Sequence, residues 1–424
     1  MLPSGVAAFE VKYLKLNTSR IHDRIAALAK IGKTSDDGSR RIALTDDDRD
    51  GRNLVISWMK KAGLEVSIDQ VGNVFATLKG KQSASPIMMG SHIDTVGNGG
   101  HLDGCYGVIA GLEVIATYVD NKEIPEHDLC VAIFTNEEGV RFQPDMLGSL
   151  VYAGGMSVDD AHDIVSNDGE TLLEELIRTK FLGPMKCGSV IPYAFVELHI
   201  EQGPVLENNN IFIGAVEGVQ GISWTSVTFK GQSNHAGTTP MEMRKDAGYA
   251  AAKLAVAVRE ITDEIGNGQV GTVGVITPVP NLINVVPGEV HLTVDLRNID
   301  NEKLKAAEFL LNEVIEYICL EEGVKVKTEQ LVRFEPVQFD KRIADLITTV
   351  SEENGYFCTR LNSGAGHDAQ MMARICPAAM IFVPSKDGVS HNPKEYTSPE
   401  LLDAGAEVLF KAIQKLDSGA LDAE

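Results

Sequence analysis

Gly90 to Gly104 reads GSHIDTVGNGGHLDG and follows a short apolar run, Pro86 to Met89, that has the character of a buried strand. Little in it suits a core. His92, Asp94 and Asp103 lie within twelve residues, with the pair Gly99-Gly100 ahead of Asp103. A strand holds an imidazole rigidly, and glycines let the backbone fold a later carboxylate back towards it. Asp94 falls on the same face of an extended chain as His92. That placement suits it to orienting the imidazole by a hydrogen bond better than to binding a metal. A single His-x-Asp reads more simply as a polar loop after a strand. The rest of the chain decides otherwise.

Upstream, Leu14 to Gly32 carries apolar residues at helical spacing, and Asp46 to Ala62 predicts a second helix capped by Thr45. Leu64 to Asp69 and Asn73 to Leu78 predict two short strands around a Gly-Asn turn. Downstream, GVIAGLEVIATY (Gly107 to Tyr118) predicts a helix, and Leu129 to Phe134 a strand that runs into TNEEG. Gly148 to Gly155 reads as a loop, Asp159 to Thr179 as a charged helical excursion, and Ala194 to Ile200 as a strand ending in HIEQGP. Strands alternating with helices predict an α/β fold whose mainly parallel sheet is covered by helices, with sites at the carboxyl ends of the strands.

The character changes at about Gly214. Strands at Ser223 to Lys230, Gln269 to Pro278 and Glu289 to Leu296, with helices at Ala247 to Glu264 and Asn301 to Glu322, give a βαββα-like order. That predicts an inserted α+β domain over 214–329, leaving 1–213 and 330–424 as the metal-binding catalytic domain. The length of 424 residues favours two domains in any case.

The net charge of −22 repels nucleic acid and anionic membrane, so neither is expected as a partner. Six scattered cysteines without a C-x-x-C pair read as reduced thiols of a cytoplasmic protein. The opening MLPSGVAAFEVKYLK lacks the apolar run of a secretory signal, no stretch approaches the length that spans a bilayer, and the closing DSGALDAE reads as an acidic tail with no evident role.

His92, Asp103, the pair Glu137-Glu138, His199 and His391 collect at strand ends and on glycine-bordered loops. Three histidines with up to three carboxylates suit a hard-to-borderline divalent cation. If Asp103 bridges two ions, His92 and His199 complete one position, and Glu138 and His391 the other. Each would keep an open place for water, as a catalytic site does. Neighbours on a strand point opposite ways, so Glu137 and Glu138 cannot both ligate unless the strand has already turned. Glu137 is then left as the general base. His101 has no place in this count. His22, His127 and His162 fall in surface-like stretches, and His291 reads as structural.

GSHIDT, GGHLDG, TNEEGVRF, ELHIEQGP, GQSNHAGTTPM, NVVPG, SGAGHDA and SHNP occur in order from about residue 90 to residue 393. As a set they resemble the dinuclear-metal amidohydrolases of the M20 peptidase-like superfamily. The branch most similar holds N-carbamoyl-L-amino-acid hydrolases, ureidopropionases and allantoate amidohydrolases. The resemblance implies the same ligands and base, with zinc, or manganese, cobalt or nickel, as the metal. It implies that the inserted domain forms a homodimer interface, and that His235 reaches a neighbouring active site to stabilise an oxyanion. It matches Asn284 and Arg297 to residues that hold the amide and carboxylate ends of a substrate, and Arg suits a carboxylate by its bidentate fork. Gln202, Gly366 and His367 are further substrate-contact candidates.

The expected activity is hydrolysis of a linear carbamoyl or ureido C–N bond in a small substrate bearing a carboxylate. An N-carbamoyl-L-amino acid leads, with allantoate and ureidopropionate as alternatives. A metallo-dipeptidase or aminoacylase is more remote, because related exopeptidases usually place a carboxylate where His199 stands. A non-enzymatic binding protein would be expected to have lost Glu137 or a ligand.

Overall fold

The computed structural model describes residues 14–82, 85–266 and 268–422. Residues 1–13 of the opening stretch, read as lacking a secretory signal, and the last two residues of the acidic tail lie outside them. The chain forms two compact units, one running to Glu217 and resuming over Phe339–Leu361 and from His367, the other Gly218–Gln338 with Asn362–Gly366.

The first unit opens with helices Thr18–Leu28 and Asp46–Lys61, the second capped by Thr45, whose side chain accepts from the Asp48 amide. Then come strands β1 (Glu65–Ile68), β2 (Val74–Leu78), β3 (Ile87–His92), β4 (Leu129–Phe134), β5 (Ala194–Ile200) and β6 (Ile213–Val219). The second unit holds β7 (Gly221–Lys230), β8 (Asn234–His235), β9 (Val270–Val279), β10 (Val285–Val286), β11 (Glu289–Asn298), β12 (Lys325–Phe334) and β13 (Val337–Gln338). β14 (Cys358–Ser363) and β15 (Ala378–Val383) follow.

The large sheet runs β1-β2-β4-β3-β5-β15-β6, with β13 beyond β6 and β14 also paired to β6. It is mixed. β4, β3, β5 and β15 are mutually parallel, while β1, β2 and β6 join antiparallel at the edges. Those four parallel strands are buried along their whole length, which is why they read as continuous apolar runs. Because they are parallel, their carboxyl ends lie along one edge of the sheet. Register tightens this further: His92 pairs with Phe134, and Ile200 with Val383. Helix Cys105–Asn121, buried from Cys105 to Tyr118, packs on β3, β4 and β5. Its Gly107 lies so near Leu198 O that a Cβ there would come within 2.3 Å.

Several expectations change. Gly148 to Gly155 is not a loop: Leu147–Tyr152 is a buried helix, and a Cβ on Gly148 would lie 2.4 Å from the Thr135 nitrogen. That glycine is there for close packing. The charged excursion divides into Val158–His162 and Leu172–Thr179, the latter opened by a Thr171–Glu174 capping box. Gln330 to Phe334 does not return to the first unit. It ends β12, a fourth strand of the inserted sheet, and the crossing comes at Phe339. β12 is exposed over most of its length, so no apolar alternation announced it. His127 is not a surface residue, being buried and stacked on Tyr193 at 4.6 Å between ring centroids. The tail also has a role, since Asp417 ends helix Pro399–Asp417 and accepts from the Glu126 and His127 amides at 3.1 and 2.8 Å.

In the second unit the antiparallel sheet β12-β7-β11-β9 carries helices Ala247–Ile265 and Asn301–Glu322. Alternate residues of β11 are buried, and Val290, Leu292, Val294 and Leu296 pack with Leu254, Val258, Leu311 and Ile315. Asp246 and Asp300 cap the two helices.

Candidate metal centre

Three imidazoles and three carboxylates meet at the carboxyl edge of the parallel strands. His92 ends β3. Its Nδ1 lies 3.0 Å from the Asp94 carbonyl, which can only accept, so Nδ1 donates there and Nε2 is left facing the centre. That nitrogen faces Asp103 Oδ1 at 3.6 Å and Glu137 Oε2 at 3.4 Å. His199, near the end of β5, repeats the device: Nδ1 donates to Ile200 O at 2.8 Å and Nε2 lies 3.2 Å from Asp103 Oδ1. His391 Nε2 lies 3.2 Å from Asp103 Oδ2 and 3.4 Å from Glu138 Oε2.

Ligand-capable atoms of His92, Asp103 and His199 lie within 4.8 Å of one another, as do those of Asp103, Glu138 and His391. Asp103 is shared. A third group, Glu197, His199 and His367, lies behind His199.

Asp94 acts differently from expectation. Its backbone carbonyl, not its carboxylate, orients His92, and the carboxylate instead accepts from the amides of Glu137 and Glu138 at 3.4 and 3.3 Å. The strand has turned before the glutamates, because Asn136 is left-handed at φ 56°. Both side chains can therefore face the centre, and Glu138 Oε1 also accepts from the Val96 amide at 3.1 Å.

Electrostatics show what the site lacks. Burial would raise the Asp103 carboxyl, but bonds to His199, His391 and His92 outweigh it and hold it well below the usual range. Burial raises Glu137 well above its ordinary value despite nearby His92, and burial with Asp103 pushes Glu138 up to about 8. Among the described residues, no Lys or Arg pairs with Asp103, Glu137 or Glu138. Buried carboxylates without a cation partner are costly. The oxygen and imidazole donors of these triads are of the kind that a hard-to-borderline divalent cation takes, and such a cation would supply the missing positive charge.

Gln202, expected at the substrate, donates from Nε2 to Asp103 Oδ2 at 2.9 Å and lies 3.2 Å from Ser390 Oγ. Buried His367 packs edge-on to His199 at 4.6 Å, and burial followed by His199 pushes its pKa well down, keeping it neutral. His101 bonds Ser39 and joins none of the triads. Sequence reasoning missed Glu395, which is buried and accepts from the Leu102 and Asp103 amides at 3.0 and 3.2 Å. Its one signal was position, four residues after His391.

His235, Asn284, Arg297 and Gly366 all lie in the second unit. His235 is exposed, and its Nδ1 accepts from the Gly237 and Thr238 amides at 3.0 and 3.2 Å. Its proton is therefore on Nε2, where it can be donated outward. Asn284 O accepts from the Ala236 amide at 3.0 Å, beside the β8–β10 pair. Arg297 pairs with Asp295 at 3.0 Å and donates to Gly364 O at 2.7 Å.

Residues 88–415 match the model of peptidase family M20/M25/M40, which covers both units. The chain belongs to the M20 family. It is 40% identical to the N-carbamoyl-L-amino-acid amidohydrolase of Rhizobium meliloti, over 94% of this chain and 96% of that one. It is 38% identical to the allantoate amidohydrolase of Bacillus subtilis, over 93% and 97%. A solved hydantoinase/carbamoylase-family amidase from Burkholderia multivorans superposes with a TM-score of 0.91 at 40% identity, covering 95% of this M20 chain and 98% of its own.

Proposed function

We propose that the chain hydrolyses an N-carbamoyl-L-amino acid to the amino acid, carbon dioxide and ammonia. The reaction class is settled by kinship. This M20 chain is a hydrolase of carbamoyl or ureido C–N bonds in linear amides, as its amidohydrolase relatives are. The observation that supports a hydrolytic centre is the pair of triads sharing Asp103.

His92, Asp103 and His199 would hold one divalent cation, and Asp103, Glu138 and His391 the other, zinc being the first candidate. Bound there, the pair supplies Lewis acidity that polarises the substrate carbonyl and acidifies a water. Glu137, buried and beside His92, takes the proton of the attacking water and returns it to the departing nitrogen. His235, protonated on Nε2, is the candidate donor to the oxyanion that forms as the carbonyl becomes tetrahedral. Arg297 would exchange part of its pairing with Asp295 for a substrate carboxylate, with Asn284, Gln202, Gly366 and His367 as further contacts.

The close allantoate relative keeps allantoate as the second reading. A homodimer through the inserted domain, tested by light scattering, and a cytoplasmic location belong to the same proposal. Six free cysteines support the location.

Ammonia release by cation-loaded protein on N-carbamoyl-L-amino acids, N-carbamoyl-β-alanine and allantoate tests the reading. Turnover of an N-carbamoyl-L-amino acid, reduced by about 10² to 10⁴ in Glu137→Gln, is the expected result. Turnover confined to allantoate would transfer the assignment to that substrate.

A further inference from the structure

Glu395 is a carboxylate at the centre that neither the ligand count nor the proton transfer uses. Its side chain is buried, and all its partners among the described residues are neutral donors. Oε1 accepts from the Leu102 and Asp103 amides at 3.0 and 3.2 Å, and Oε2 accepts from Ser390 Oγ at 2.8 Å. One carboxylate thus ties the backbone of the shared ligand to the residue just before His391. The loops it joins lie nearly 300 residues apart in sequence.

The surroundings are shaped for it. A Cβ on Gly100 would meet Glu395 at 2.3–2.5 Å, so that glycine admits the carboxylate rather than merely loosening the loop. Gln202 closes a ring, donating to Asp103 Oδ2 and reaching Ser390.

The two triads depend on this clamp unequally. His92 and His199 stand at strand ends, each locked by a backbone carbonyl. His391 has neither support. It sits on a loop in the left-handed region at φ 53°, its side chain 53% exposed.

We propose that Glu395 is a positioning residue that holds Asp103 and His391 in register, so that its loss weakens the Asp103–Glu138–His391 cation position and spares the Asp103–His92–His199 one. The proposal rests on the two-cation reading above.

The test counts ions rather than turnover. Chelated protein is dialysed against graded Zn2+ or Co2+ and bound metal is measured, with Co2+ absorption spectra reporting each position. Wild type should take up two ions. Glu395→Ala should keep one tight ion and bind the second about tenfold or more weakly, as loss of a residue behind a ligand commonly does. Glu395→Gln retains an acceptor for the two amides and should stay nearer wild type. Ser390→Ala, a milder change that keeps the chain folded should Glu395→Ala not, should weaken the same ion to a smaller degree. Wild type taking up fewer than two ions would overturn the two-cation reading itself. Two wild-type ions with unchanged second-ion affinity in Glu395→Ala, or in Ser390→Ala where the former does not fold, would overturn the role of Glu395 alone. Equal weakening of both ions would do the same.

Discussion

Burial and neighbouring Asp103 push the Glu138 carboxyl up to about 8, and its bond to Asp103 pushes His391 up to about 9. Both groups must lose a proton to ligate, so loading cations at pH 7 should release protons and affinity should rise from pH 7 to 9. The sign for stability follows from the same shifts. Each folded value is raised above its ordinary value of 4.5 or 6.5, so the stabilisation is complete below that value and lost as pH climbs through about 8 and 9. Chelated protein should therefore melt at lower temperature at pH 9 than at pH 6 in calorimetry. A flat or rising Tm would contradict this. Gly104 offers a sharper test, with φ at 62° and a Cβ position 2.4–2.5 Å from the His92 ring. Gly104→Ala would place a Cβ at φ 62° and ψ −46°, outside the regions L residues adopt, and would displace the imidazole. Metal analysis should show loss of binding at the His92 position. At this scale the gathering of His92, Asp103, Glu138, His199 and His391 was legible because these side chains stand on glycine-bordered strand ends, where little suits a core. The Asp94 carboxylate was misjudged because strand alternation fixes a side, not a partner, and Glu395 was missed because its bonds go to backbone amides.

Elements place these residues more than any single contact does. Buried parallel strands β3, β4 and β5 were legible as short apolar runs, and so was the edge at which His92, the Glu137-Glu138 turn, His199 and the His391 loop gather, whereas their equally apolar neighbour β15 was not picked out. Edge strands were less so. β12 and β14 lack continuous apolar character, and their identity comes from pairing with β7 and β6. The buried helix Leu147–Tyr152 escaped notice because its glycine serves packing on Thr135 rather than a turn. The cap at Thr45 was readable and can be tested. Thr45→Ala removes the acceptor for the Asp48 amide and should cost about 1 kcal/mol, seen as a lower urea midpoint with cation binding unchanged. A variant with an unaltered midpoint would show that the cap carries no stability.

Across the whole molecule, the inserted unit has its own antiparallel sheet and its own core. Residues 218–338 expressed alone should give a cooperative thermal transition by circular dichroism, and a featureless melt would show that the core is insufficient by itself. The composition already set the large-scale limits, since a charge of −22 disfavours nucleic acid, and among the described residues no helix is long and apolar enough to cross a membrane. Where the inserted unit ends was not legible, because β12, near that end, is exposed over most of its length and shows no apolar alternation. The measurement that tests the central claim most directly is a cation titration of chelated protein, with bound ions and ammonia release from an N-carbamoyl-L-amino acid followed in the same samples. Activity should be absent at the start and reach its plateau at two ions per chain. Full activity in protein stripped of both ions would contradict the account.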